Sequence, residues 1–364
     1  MKSTASIYKS GYGPSSSHTV GPTIAAKLIK RKHPDYTHIE CFLYGSLALT
    51  GKGHGTDKAI KSVLENCDVH FEQNKDIASL PHLNTMIFKV YKNKEIIDEL
   101  TVLSVGGGEI QFVGDNYKEK EVYKENTLTE IIAVCESEGI TLPEYIYQRE
   151  DPTFKDDLRL KWNAMKDCIE KGLNSEGKLP GKLNLDRKAK SLFNMKVDNE
   201  GPTAKEDRLL SAYAFAVSEE NADGHMIVTA PTCGSAGVLP AVLYYMYKDR
   251  NYPIEKIIDG LAVAGLIANI IRTNASLSGA KCGCQAEIGS ACSMASAAKA
   301  TINGMSLKQI EYAAEVAMEH HLGLTCDPVY GYVQIPCIER NAVAAMRAMN
   351  SVNLARFLYI NRKI

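Results

Sequence analysis

Gln148-Arg149-Glu150-Asp151-Pro152-Thr153-Phe154-Lys155-Asp156-Asp157 is polar and charged, with a proline near its middle, and the chain changes texture across it. On the N-terminal side, short runs rich in β-branched residues alternate with glycine turns: His38–Tyr44 (HIECFLY), Met86–Tyr91 (MIFKVY) and Leu100–Ser104 (LTVLS). Each is short and at least partly alternating, which is the period-two pattern of a half-buried strand. Thr23–Arg31 and Asp57–Cys67 read as helices laid on such a sheet. On the C-terminal side, helical periodicity dominates over Lys155–Lys171, Lys205–Glu219, Val238–Tyr247, Ile254–Ile271, Gly289–Ala300 and Leu307–His320, punctuated by glycine and proline. The predicted fold class is an α+β N-terminal domain followed by an all-α helical domain, at 1–147 and 158–364, joined by a linker at about 148–157.

Bulk composition narrows the function classes. The chain has 364 residues, a formal net charge of -1, 45% hydrophobic and 23% charged residues. That is ordinary globular composition with no basic field to hold nucleic acid, and Lys30-Arg31-Lys32 reads as a solvated helix end. Met1–Ser10 lacks the apolar core of a signal peptide. The longest apolar stretch, Ile257–Ile271, is interrupted by Asp259 and Asn269; it falls short of the roughly 20 apolar residues that span a bilayer and reads as a buried helix. A cytoplasmic location without membrane association is expected, with the ten cysteines as thiols. Metal or cluster ligation then ranks ahead of disulfides for any that group together.

Three segments carry chemistry. Cys282-Gly283-Cys284-Gln285, Thr325-Cys326-Asp327-Pro328 and Ile335-Pro336-Cys337 set cysteines among turn-forming residues, Cys284 lying 42 positions before Cys326 and Cys337 eleven after it. A buried cysteine is often just a small hydrophobe, but glycine and proline beside each one suit thiolates converging on a metal centre. Structural zinc usually takes paired CxxC-type spacings, which are absent here. An iron–sulfur cluster accepts wide, irregular spacing, and three ligands would leave one iron open as a Lewis acid. Spacing alone does not decide between three ligands and four.

The second segment, Gly13-Pro14-Ser15-Ser16-Ser17-His18-Thr19-Val20-Gly21-Pro22, offers hydroxyls and backbone N–H groups before the helix expected from Thr23; it is either a carboxylate site or a serine-rich N-cap. The third, Gly45 to Asp57 (GSLALTGKGHGTD), brackets His54 with glycines. It is not a P-loop. His54 is either a proton-transfer group in a cleft or a solvated loop histidine. Gly106-Gly107-Gly108 reads as a turn between strands.

Taken together, GPSSSHTVGP (13–22), LYGSLALTGKGHGTD (43–57), VTAPTCGSAGVLPAVL (228–243), LSGAKCGCQAEIGSACSMA (277–295) and GLTCDP with QIPCIERNA (323–342) resemble the bacterial iron–sulfur L-serine dehydratases, in the single-chain form with fused beta and alpha domains. The resemblance implies an L-serine ammonia-lyase of amino-acid catabolism and gluconeogenesis, eliminating water from L-serine at an open iron of a 4Fe–4S cluster to give pyruvate and ammonia. It implies Cys284, Cys326 and Cys337 as cluster ligands, Cys284 rather than Cys282 because the family ligand lies in a Gly-Cys-Gln triplet. It further implies substrate contacts from Ser15, Ser16, Ser17, His18, Thr19 and His54. Asn274-Ala275-Ser276 and Ala230-Pro231-Thr232-Cys233-Gly234 are expected to line the same site. His54 is the first candidate for the general base and His18 the second. A homodimer is also expected. Members of the family usually continue a few dozen residues beyond the position of Ile364, and in some that tail ends near the active site.

Three other readings stand beside this one. They are an iron–sulfur lyase acting on L-cysteine or L-threonine, a non-catalytic cluster protein using Cys282 or Cys233 as a fourth ligand, and an inactive scaffold. Pyridoxal phosphate chemistry needs a Schiff-base lysine beside a phosphate cup, and neither Lys52 nor Lys281 has such a setting.

Overall fold

The alternation in His38–Tyr44 becomes a strand with Ile39, Cys41 and Leu43 buried, in the computed structural model, which describes residues 1–73, 77–114 and 121–358. The first part of the chain runs β1 (Ser10–Tyr12), α1 (Gly21–Lys32), β2 (His38–Tyr44), α2 (Ser46–His54), α3 (Thr56–Lys61), β3 (Cys67–Glu72), β4 (Thr85–Lys92), β5 (Glu95–Gly106) and β6 (Glu109–Phe112). Five of these strands form a sheet in the order β3-β2-β4-β5-β6, with β2 and β3 parallel and the other pairs antiparallel. Ala25, Ala26 and Ile29 of α1, Leu47 of α2 and Ile60 of α3 close one face of that sheet over Ile39, Leu43, Met86, Phe88 and Val102.

The remainder is helical: α4 (Leu128–Glu138), α5 (Leu142–Tyr147), α6 (Phe154–Asn174), α7 (Ala189–Asn194), α8 (Pro202–Ala222), a short strand β7 (Met226–Val228), α9 (Val238–Lys248), α10 (Ile254–Asn274), α11 (Gly279–Cys282), α12 (Ser290–Ile302), α13 (Leu307–Glu319) and α14 (Cys337–Leu358). The fold is thus an α+β region followed by a largely helical one. Every residue of α12 is buried, and its run of alanine and serine lets α9, α10, α13 and α14 pack close around it. Among the described residues no helix is long and apolar enough to cross a membrane.

The structure departs from the sequence reading in four places. The helix expected over Asp57–Cys67 stops at Lys61, because Cys67, Val69 and Phe71 alternate with polar residues and pair in parallel with β2, Ile39 opposite Cys67. The Gly45–Asp57 segment is no loop: it forms α2 and α3, hinged at Gly55 in the left-handed conformation (φ 73°). Helices α4 and α5 were not anticipated, although each begins with a capping box, Thr127 with Glu130 and Thr141 with Glu144. Helix α14 likewise follows an unread pattern. The chain's ending at 359–364 lies outside the described residues.

Core membership also cuts the chain differently from the expected linker at 148–157. Met1, Ile7, Tyr8 and Val20, together with Ile131, Cys135 and Tyr145, share one apolar cluster with Trp162 and the later helices. Strand β1 pairs antiparallel with β7, Gly11 opposite Ile227. The polar stretch is a turn from Gln148 to Thr153 followed by the first turn of α6, and its charge is used internally. The Glu150 carboxylate accepts from Ser3 Oγ (2.6 Å), Thr4 N (2.7 Å), Thr4 Oγ1 (2.6 Å) and Tyr123 OH (2.6 Å), tying down the N-terminal segment.

Candidate active site

Between the sheet region and the helical region lies a cavity of about 190 Å³, lined from both. The N-terminal side supplies the turn at Ser15–His18, Ser46, Thr50 and His54 of α2, and Gly106 and Gly107 from the turn between β5 and β6. The helical side supplies Gly234, the stretch Leu277–Ala280, Cys284, Glu287, Cys326 and Cys337. Segments more than 300 positions apart in sequence therefore share one wall.

The serine turn is held by its own side chains. Ser16–Val20 forms a π-helical turn that runs straight into α1, so the helical path starts earlier than Thr23. Thr19 Oγ1 donates to Tyr12 O (3.0 Å), and Ser104 Oγ donates to Ser17 O (2.9 Å) from β5. Gly21 makes that approach possible, since a Cβ there would stand 2.4 Å from Ser104 Oγ. Asn221 Nδ2 donates to Pro14 O (3.0 Å), anchoring the turn on α8.

His18 is buried, and both its ring nitrogens are engaged: Nε2 lies 2.9 Å from Thr50 Oγ1 and 3.3 Å from Ser46 O, and Nδ1 lies 3.0 Å from Ser17 Oγ. Donation from Nε2 to the Ser46 carbonyl leaves Nδ1 to accept from Ser17. Burial, with His54 adding repulsion, pushes the His18 pKa down to about 3. His54 lies against it at a tilt of 31°, ring centroids 4.5 Å apart. His54 Nδ1 donates to Thr50 O (2.9 Å), which fixes the tautomer with an unprotonated Nε2, and burial lowers its pKa below the usual 6.5. Among the described residues no hydrogen bond engages that Nε2.

At the opposite end, ligand atoms of Cys284, Cys326 and Glu287 all lie within 4.8 Å of one another. Cys326, donating toward Cys284, lowers the Cys284 pKa to about 6, and Arg340 nearby assists; the Cys326 thiol is raised in turn. Burial and the charge of Cys284 push Cys337 up to about 12. Burial raises Glu287 to about 7, against a hydrogen bond with the Thr232 side chain that lowers it and with repulsion from Cys284 adding to the rise. Gln285 braces this end: its Nε2 donates to Cys282 O (2.8 Å) and its Oε1 accepts from Gly323 N (2.9 Å), joining the Cys284 turn to the segment leading to Cys326. Arg340 Nη1 donates to Thr325 O (2.9 Å). Asn341 bridges Gly234 O (2.8 Å) and Gly237 N (2.9 Å), fixing the 230–237 loop on α14.

Of the residues singled out in the sequence, Ser15, Ser16, Ser17, His18, His54, Cys284, Cys326 and Cys337 line this one cavity. Thr19 does not; its hydroxyl is spent within the turn. Asn274 also lies outside the lining, at the end of α10, where its Nδ2 donates to Asn126 O (2.7 Å) and Ile270 O (3.0 Å). Neither Cys282 nor Cys233 is among the lining residues. Ser46, Thr50 and Glu287 were missed. The first two stand at four-residue intervals before His54 on one face of α2, a pattern visible only if that stretch is read as a helix. Glu287 lies three residues past Cys284, within a quoted motif.

Comparison with known proteins gives two family matches: the serine dehydratase alpha chain over residues 61–358 and the serine dehydratase beta chain over residues 3–80. An L-serine dehydratase of Haemophilus influenzae is 39% identical, over 98% of this chain and 90% of its own length. L-serine dehydratase 1 of Escherichia coli is 37% identical over the same shares. An L-serine dehydratase of Streptomyces coelicolor is 36% identical, over 96% of this chain and 89% of its own.

Proposed function

Since the chain belongs to the serine dehydratase family, with its beta-type and alpha-type parts in one polypeptide, we propose that it deaminates L-serine to pyruvate and ammonia, using a 4Fe–4S cluster held by Cys284, Cys326 and Cys337. The observation that carries this reading is the shared cavity, where the serine turn and His54 face three thiols delivered by separate elements.

The donor set fits such a group. Thiolates are the usual ligands of iron–sulfur clusters, and the Cys326 thiol with Arg340 nearby holds the Cys284 pKa below its ordinary value. Three thiols, Cys284, Cys326 and Cys337, line the cavity, while Cys282 and Cys233 do not. Bound there, the cluster supplies Lewis acidity toward the substrate's hydroxyl.

The chain's own residues do the rest. Hydroxyls of Ser15, Ser16 and Ser17 hold the substrate carboxylate, and Thr19 keeps their turn in shape. His54 Nε2, its tautomer set by the Thr50 carbonyl, takes the Cα proton as the Cβ–O bond breaks, so that the proton and the substrate hydroxyl leave together as water. His18, neutral and bonded on both sides, fixes the position of the His54 ring. The aminoacrylate that leaves then tautomerises and hydrolyses to pyruvate and ammonia unaided.

Iron and sulfide content of protein purified without oxygen, measured beside L-serine turnover in the same preparation, tests the reading. Cys326→Ala is expected to abolish both. Serine turnover by iron-free protein would overturn the assignment.

A further inference from the structure

Glu287 has no part in the chemistry described so far, yet it is the one carboxyl among the described residues that line the cavity. The other polar groups there are hydroxyls, imidazoles, thiols and backbone, with no lysine or arginine. An α-amino acid arrives as a zwitterion, and its ammonium would be costly to place in a walled site without an opposite charge.

The fold keeps this carboxyl in place. Glu287 lies in the π-helical turn Gln285–Gly289, which brings its side chain back to within 4.8 Å of the Cys284 and Cys326 thiols. Gly279, at the start of α11, makes room for it, and Gly234 lies in contact with it. A Cβ on Gly279 would stand 2.4 Å from Glu287 Oε2, and one on Gly234 would stand 3.5 Å from the same atom. The carboxyl thus sits at the thiol end of the cavity, against Gly279 and Gly234, where a substrate bound by its hydroxyl and carboxylate still needs a partner for its third group.

Building on the serine-deaminating reading, we infer that Glu287 recognises the substrate's α-ammonium, and so selects α-amino acids over hydroxy acids of the same shape. The pairing is an ordinary charge-assisted hydrogen bond; no bond to substrate forms or breaks.

The test uses anaerobically prepared holoenzyme, wild type, Glu287→Gln and Glu287→Asp. L-serine is the substrate, and 3-hydroxypropionate, which lacks the amino group, is the competitive inhibitor. Glu287→Gln is expected to lower kcat/KM for L-serine about 100-fold, mainly through KM, as loss of a charged hydrogen bond to a buried group does. Its inhibition constant for 3-hydroxypropionate should stay within about threefold of wild type, its iron content should be unchanged, and Glu287→Asp should recover part of the loss. Loss of iron in Glu287→Gln would make the carboxyl a cluster ligand and overturn the inference. So would a parallel weakening of 3-hydroxypropionate, or a fall confined to kcat. Wild-type protein that turns over no L-serine would overturn the serine reading and this inference with it. Wild-type turnover with an unaltered Glu287→Gln would overturn the inference alone.

Discussion

His54 and His18 stand ring to ring, 4.5 Å apart, yet their surroundings divide their work. His18 is bonded at both nitrogens, while His54 turns one nitrogen to a carbonyl and leaves the other unprotonated. Replacing His54 by Gln is therefore expected to cut kcat by about 10²–10⁴-fold with iron content retained, the range for a lost general base; steady-state kinetics beside iron analysis checks this. In the proposed role the His54 base must be neutral, and burial lowers its pKa below 6.5, so kcat/KM should fall as pH drops through a value under 6.5. His18 gives a stability prediction with its own sign. Its folded pKa of about 3 lies below the ordinary 6.5, so the unfolded chain takes up the proton first as pH falls. Its contribution is intact above pH 6.5 and is lost progressively toward pH 3. Unfolding free energy at pH 5 should be about 2 kcal/mol lower than at pH 7 from this group, and His18→Gln should flatten that slope.

Among the elements, close approach of helices decides what a substitution costs. Gly172 of α6 lies on the backbone of α8, where a Cβ would stand 2.4 Å from Ala216 O and 2.8 Å from Ala216 Cα. Neither backbone can yield without moving a helix. Gly172→Ala is thus expected to destabilise by about 1–3 kcal/mol, as overpacking does, read as a lower midpoint in denaturant. Helix α2 shows why local reading failed. Its sequence carries Gly51 and Gly53, which favour turns, but Leu47 and Ala48 bury against the sheet and hold the segment helical. That outcome aligns Ser46, Thr50 and His54 on one face.

For the whole molecule, the N-terminal twenty residues belong physically to the helical core. Tyr8 OH donates to Leu261 O (2.7 Å) and Asn269 Nδ2 to Lys2 O (2.7 Å), while Met1, Ile7 and Val20 fill the same apolar cluster. Residues 121–364 produced alone should therefore lack a cooperative unfolding transition by circular dichroism, since β7 loses its partner strand and the core loses these side chains. If the proposed cluster is bound, removing its iron with a chelator should, in contrast, abolish turnover and leave far-UV circular dichroism nearly unchanged. The helices around α12 are held by apolar packing over its whole length, independent of any metal.

Local patterns in the sequence determined the two textures, the strands β2 and β4, most long helices, and the motifs bearing the serine turn, His54 and the cysteines. These follow from side-chain periodicity and turn chemistry, which act over a few residues. Only the tertiary structure decided that β3 replaces the end of a helix, that the charged stretch at 148–157 anchors the N-terminus, and that Glu287 faces the same cavity as His54. Those outcomes depend on which distant surfaces find each other. Glu150 reads as a linker residue until Ser3, Thr4 and Tyr123 arrive beside it, and Glu287 as one more polar residue until Gly279 leaves it room.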